Sequence, residues 1–121
     1  MDVERYVKDG KVAILVSPGY GAGWSTWGED ELAYDKRVVE YWLEHKDDEE
    51  FMKEIDTWAD ENSTIEAARK QFEEWGYHGV YFGGFKQIKL VWLPKGTLFR
   101  IKEYDGSESI ETNDSVDWCV A

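Results

Sequence analysis

The spacing of apolar positions changes twice along the chain. Lys11 to Ser17 reads Lys-Val-Ala-Ile-Leu-Val-Ser, a continuous apolar run stopped by Pro18-Gly19, which predicts a strand buried on both faces. From Asp30 to about Lys46 the spacing is helical, with Leu32, Val38, Val39, Trp42 and Leu43 in one stripe. Asp30 is placed to cap this helix, Glu29, Glu31 and Asp35 lie near its positive end, and His45-Lys46 lie near its negative end. A second helix starts near Asp47 and sets Phe51, Ile55, Trp58 and Ala59 on one face. Ser63-Thr64-Ile65-Glu66 is a capping box, so a third helix is expected from Thr64 to Trp75, stopped by Gly76, with Ile65, Ala68, Phe72 and Trp75 inward.

After Gly79 the period falls to that of strands. Val80 to Phe82 and Phe85 to Leu93 flank Gly83-Gly84, a hairpin turn or a glycine break within one strand. Pro94-Lys95-Gly96 turns the chain into Thr97 to Tyr104, and Asp105-Gly106 is a type I′ hairpin signal leading to Ser107 to Thr112. A two-residue turn there pairs Tyr104 with Ser107, Glu103 with Glu108, Lys102 with Ser109 and Ile101 with Ile110. Phe99, Ile101 and Ile110 then share the core face, while Arg100 and Lys102 point outward. Val116, Trp118 and Val120 form a short closing strand or a docked tail. The expected fold is α+β, a single domain over 1–121: an N-terminal strand, three helices, then an antiparallel β-meander packed against them.

Composition narrows the classes of partner. The chain has 121 residues, a net charge of −12 and seven Trp, seven Tyr and five Phe, more aromatic surface than a core of this size needs. Some of it is therefore expected at a ligand site or an oligomer interface. The acidic balance argues against duplex nucleic acid and anionic membranes as partners. Charge is uneven, however: residues 29–74 carry a net −11, whereas 75–102 hold five basic residues and no acid. Cys119 is the only cysteine, which excludes a disulfide or a cysteine-based zinc cluster within one chain and fits a reducing cytoplasm. The start of the sequence does not read as a signal peptide, and no apolar run approaches the ~20 residues of a membrane span, so a soluble intracellular protein is expected.

Candidate chemistry concentrates in Ser17-Pro18-Gly19-Tyr20-Gly21-Ala22-Gly23-Trp24-Ser25-Thr26-Trp27. Gly19, Gly21 and Gly23 let the backbone approach a ligand closely, and Tyr20, Trp24 and Trp27 offer flat faces for stacking. The spacing matches neither the phosphate loop with Gly-Lys-Ser/Thr nor the dinucleotide fingerprint. What remains is a loop whose amides, with the Ser25 and Thr26 hydroxyls, hold a phosphate or carboxylate while a Trp stacks on a ring; a structural loop whose aromatics cover the core is the alternative. Lys86, Lys89, Lys95, Arg100 and Lys102, interleaved with Tyr81, Phe82, Phe85 and Trp92, suit the same kind of ligand or form a solvated sheet face. His45 and His78 have neither metal nor triad spacing, the acid pairs read as a solvated helix start, and no cofactor or metal is implied.

The stretches Val16 to Trp27 and Phe99 to Ile110 resemble a family of small proteins of tailed bacteriophages and prophages. The resemblance implies a phage origin and expression in the cytoplasm of an infected bacterium, and it transfers no catalytic residue. Together with the loop it favours a homo-oligomeric, non-enzymatic protein that sequesters a small anionic ligand, a linear or cyclic nucleotide immune signal, through Tyr20, Gly21, Gly23, Trp24, Ser25, Thr26, Trp27, Arg100 and Lys102. Two other readings stand beside it. The acidic helices suit a nucleic-acid mimic that blocks a host DNA-binding defence protein, and a nucleotide-processing enzyme is the third.

Overall fold

The computed structural model describes residues 3–18, 24–27, 29–55, 63–78, 80, 82–104, 107–112 and 119–120. Its architecture is α+β. Strands β1 (Val7–Lys8), β2 (Lys11–Val16) and β3 (Lys89–Pro94) form one antiparallel sheet in the order β1-β2-β3. Strands β4 (Leu98–Tyr104), β5 (Ser107–Thr112) and β6 (Cys119–Val120) form a second, with β4 in the middle. The described residues also form helices α1 (Lys36–His45), α2 (Glu49–Ile55) and α3 (Ser63–Glu74).

The unbroken apolar run of β2 is explained by its place between two cores. Ala13 and Leu15 join the helical core, with Val38, Val39, Ile55, Ile65, Ala68 and Phe72. Val12, Ile14 and Val16 point the other way, to Ala33, Tyr34, Leu93 and Phe99, with Ile101 and Ile110 of the second sheet packed against them. A strand with a core on each side has no polar face to alternate.

Three expectations about local structure need correction. No strand was expected ahead of Lys11, yet Asp9 and Gly10 both adopt left-handed backbone (φ 53° and 75°) and turn β1 into β2. That is the type I′ geometry for which Asp-Gly is suited. Nor does one helix run from Asp30: Asp30–Ala33 is a 3₁₀ turn, Tyr34 breaks it at φ −141°, and α1 begins behind an Asp35 cap. Leu32 belongs to the helical core whereas Ala33 and Tyr34 belong to the core between the sheets, a division that one helical stripe cannot make. Finally, Phe82–Gln87 forms 3₁₀ structure instead of a Gly83-Gly84 hairpin, which brings Phe82 and Phe85 into the helical core.

The other elements follow the sequence pattern. At the end of α3, Gly76 takes φ 96°, and Tyr77 donates its N–H to the Phe72 carbonyl at 2.9 Å, closing the helix as a glycine C-cap does. The β4–β5 hairpin has the expected register, Tyr104 opposite Ser107 and Ile101 opposite Ile110. Its tip, Asp105-Gly106, lies outside the described residues, as do Trp58, Ala59, Val116 and Trp118. Val120 pairs with Leu98 in β6. Among the described residues, no helix is long and apolar enough to cross a membrane.

Asp35 ties the N-terminal segment and two helices together. Its buried carboxylate accepts from the Arg37 backbone N–H (2.9 Å), from Arg37 Nε (3.1 Å) and Nη2 (2.7 Å), and from the Tyr77 hydroxyl (2.6 Å). Next to it, Lys36 donates its N–H to the Glu4 carbonyl at 2.7 Å. Burial pushes the Asp35 carboxyl up, but the hydrogen bonds from Arg37 and Tyr77 outweigh it and leave the group below its ordinary value. Tyr77 is raised by burial and by Asp35. Because the folded state holds Asp35 deprotonated more firmly than the unfolded chain does, its contribution is full above the unfolded value of about 4 and is lost as pH falls through the folded value. Stability measured by urea denaturation is therefore expected to fall on acidification below about pH 4. Tyr77→Phe, which removes one donor, should cost about 1–2 kcal/mol near neutrality and flatten the acid limb.

Candidate functional site

Backbone amides in the Ser17–Thr26 segment gather around a carboxylate, and that carboxylate belongs to the chain itself. Glu108, on β5, is 2% exposed. Its Oε1 accepts from the Ser17 N–H at 2.9 Å. Its Oε2 accepts from the N–H groups of Trp24 (2.8 Å) and Thr26 (3.0 Å) and from the Thr26 hydroxyl (2.5 Å). In return Glu108 donates its own N–H to the Ser17 carbonyl at 2.7 Å, and the Ser107 hydroxyl donates to the Pro18 carbonyl at 2.7 Å. Convergent N–H groups of this kind make an anion-binding concavity. Here the amides of Ser17, Trp24 and Thr26 are committed to an internal anion.

Trp24 extends the clamp into the helical core. Its indole N–H donates to the Leu32 carbonyl at 3.0 Å, and its ring lies 5.6 Å from Phe85 and 6.2 Å from Phe72, both edge-on. At 1% exposure the ring is core, so it presents no face for stacking a ligand. One residue thus fixes the loop through its backbone and the helices through its side chain.

The remaining predicted residues divide into groups. Tyr20, Gly21 and Gly23 lie outside the described residues; Trp27 ends the short 3₁₀ turn Ser25–Trp27. Arg100 and Lys102 face outward on β4, as expected, and both meet Glu111, at 3.6 Å from Arg100 Nη2 and 3.1 Å from Lys102 Nζ. Arg100 and Glu111 are direct cross-strand partners. Ser25, Thr26 and Arg100 do come together: with Asp30, Tyr34, Phe99 and Ile101 they line a cleft of about 160 Å³. Lys102 does not line it.

The residue that sequence reasoning missed is Glu108, although strand alternation marks it. The expected pairing puts Glu103 and Glu108 in the inward row of Phe99, Ile101 and Ile110. A carboxylate directed inward needs donors, and the loop beside β2 supplies them. His45, read as a charge at a helix end, closes α1 and stacks on Phe51 with ring centroids 3.9 Å apart. Burial raises the Tyr41 hydroxyl, with Glu44 adding to the effect. Among the described residues, no three His, Cys, Asp or Glu side chains are grouped to hold a metal ion.

Glu108→Gln keeps the shape but replaces one acceptor oxygen by an NH₂ group that opposes an N–H. A loss of about 3 kcal/mol is expected in chemical denaturation. Trp24→Ala should cost about 3–5 kcal/mol by emptying the core, so loss of binding in that variant would not report a ligand contact.

No family model, curated protein or solved structure matches the chain.

Proposed function

We propose that this chain is a non-enzymatic binding protein for a small anionic ligand of the nucleotide class, whose anionic head group Arg100 holds in a cleft walled by Ser25 and Thr26, the donors of Thr26 being spent on Glu108. The observation that carries the reading is the convergence of these three residues, from opposite ends of the chain, on one cleft. Glu108 gives the loop a fixed shape, so Ser25 and Thr26 are ordered before a ligand arrives.

Size and charge limit what fits. A space of about 160 Å³ lies below the roughly 300–1,000 Å³ typical of drug-sized ligands and suits a phosphate or carboxylate head group. Asp30 on the wall favours a ligand that also carries a hydrogen-bond donor. Glu111 competes for Arg100, but an exposed ion pair is worth only about 0–1 kcal/mol and yields to a phosphate with better geometry. Lys102, also paired with Glu111, contributes to the field at longer range. The resemblance to phage proteins extends the reading to a homo-oligomer that sequesters a nucleotide signal in an infected bacterium.

Native mass spectrometry against adenosine monophosphate and cyclic mono- and dinucleotides tests this. Intact bound nucleotide is expected, with about tenfold weaker retention in Arg100→Ala, whose exposed side chain can be removed without unfolding the chain. Absence of binding, or release of a converted nucleotide, would contradict the reading.

A further inference from the structure

A second surface combines charge and aromatic area in a way that folding does not require. Lys8 and Lys11 are direct cross-strand partners on either side of the Asp9-Gly10 turn. Like charges directly opposite each other destabilise a hairpin. The chain has 26 acidic against 14 basic residues, yet among the described residues neither ammonium has an ion-pair partner within 4 Å. Lys102, Lys46 and Lys70, by contrast, each meet a carboxylate.

Trp92 stands beside the pair. On β3 it lies opposite Ala13, in the same side-chain row as Lys11, since the register alternates from Lys11 opposite Pro94 to Ala13 opposite Trp92. The Tyr6 ring braces it, with centroids 6.1 Å apart. Even so, Trp92 remains 39% exposed, although most of the large hydrophobic side chains here are covered. Lys8, Asp9, Lys11 and Trp92 together line a cleft of about 300 Å³, nearly twice the volume of the one at Arg100.

We infer that this cleft is a separate binding site for a planar anion the size of one free nucleotide, its ring stacked on Trp92 and its phosphate shared by Lys8 and Lys11. Two neighbouring lysines with no carboxylate within 4 Å among the described residues fit one dianionic group, and a partly exposed indole fits a base. Asp9, which also lines the cleft, accepts from an exocyclic amine or a sugar hydroxyl and disfavours a bare phosphate. The net charge of −12 selects a short ligand over a strand, because each further phosphate adds repulsion from the acidic body.

The site shares no residue with the Arg100 cleft, so the two can be tested apart. The test is an NMR titration of ¹⁵N-labelled protein with adenosine monophosphate, following the Trp92 indole N–H, assigned through Trp92→Phe, and the Lys8 and Lys11 amides. Saturable shifts of these signals are expected. Lys8→Gln/Lys11→Gln should weaken the affinity at least tenfold, and ribose 5-phosphate should bind at least fivefold more weakly for lack of a ring. A thymidine tetranucleotide should bind no tighter than the monophosphate. The inference is overturned if the Trp92 signal does not move, if the double lysine variant binds as before, or if the tetranucleotide binds more tightly. Both lysines are exposed, so the variant is expected to fold, and its unperturbed β2 amides would show that it has.

Discussion

The arrangement of the chain around its candidate site depends on one buried carboxylate. Glu108 leaves β5 toward the interior, where an isolated charge would cost several kcal/mol. Three backbone N–H groups and a hydroxyl offset that cost. The arrangement is mutual, since the amides of Ser17, Trp24 and Thr26 would otherwise be left in a site that water does not reach easily. Removing the carboxylate leaves the donors unsatisfied, and removing the loop leaves the charge unsatisfied. The result is a link between segments 84 residues apart at Trp24 and Glu108, made without any shared strand.

This link couples the two cores. Through Trp24 the clamp reaches the helical core, and through Ile110 and Phe99 the same hairpin reaches the core between the sheets. β2 lies between these cores, which is why its five apolar residues are all buried. Asp35 performs a similar task at the start of α1, gathering donors from Arg37 and Tyr77. Two buried carboxylates, each surrounded by donors, thus hold the polar connections of a protein whose apolar contacts already fill both faces of its central strand. For function, the consequence is a fixed loop, which lowers the ordering cost of any ligand that meets Ser25 and Thr26.

Much of the fold was legible because it rests on local periodicity. The β2 run, the helical stripe that includes Phe72, the glycine that ends α3 and the β4–β5 register each follow from neighbours in sequence. Asp9-Gly10 carried a signal as clear as Asp105-Gly106, but only two strand residues precede it, too few for alternation to show. The break at Tyr34 was not legible, because it arises from two cores on opposite sides of β2. The candidate site was half legible: loop composition indicated an anion-holding segment, and only the tertiary structure shows that its amides hold Glu108. The two readings of Trp24, ligand stacking or core, are inseparable in sequence for the same reason, since an aromatic in a glycine-rich loop has the same sequence whether it faces a ligand or Phe72. The pairing of Lys8 with Lys11 follows from a turn that the apolar pattern does not reveal.

The most direct test of the clamp is native-state hydrogen exchange at the amides of Ser17, Trp24 and Thr26. Trp24 and Thr26 belong to no strand or α-helix ladder, so their protection has to come from the Glu108 carboxylate. The account predicts that all three exchange as slowly as the β2 amides, opening together with the β4–β5 hairpin. Exchange of Trp24 and Thr26 at the rate of an open surface loop, while β2 stays protected, would contradict it.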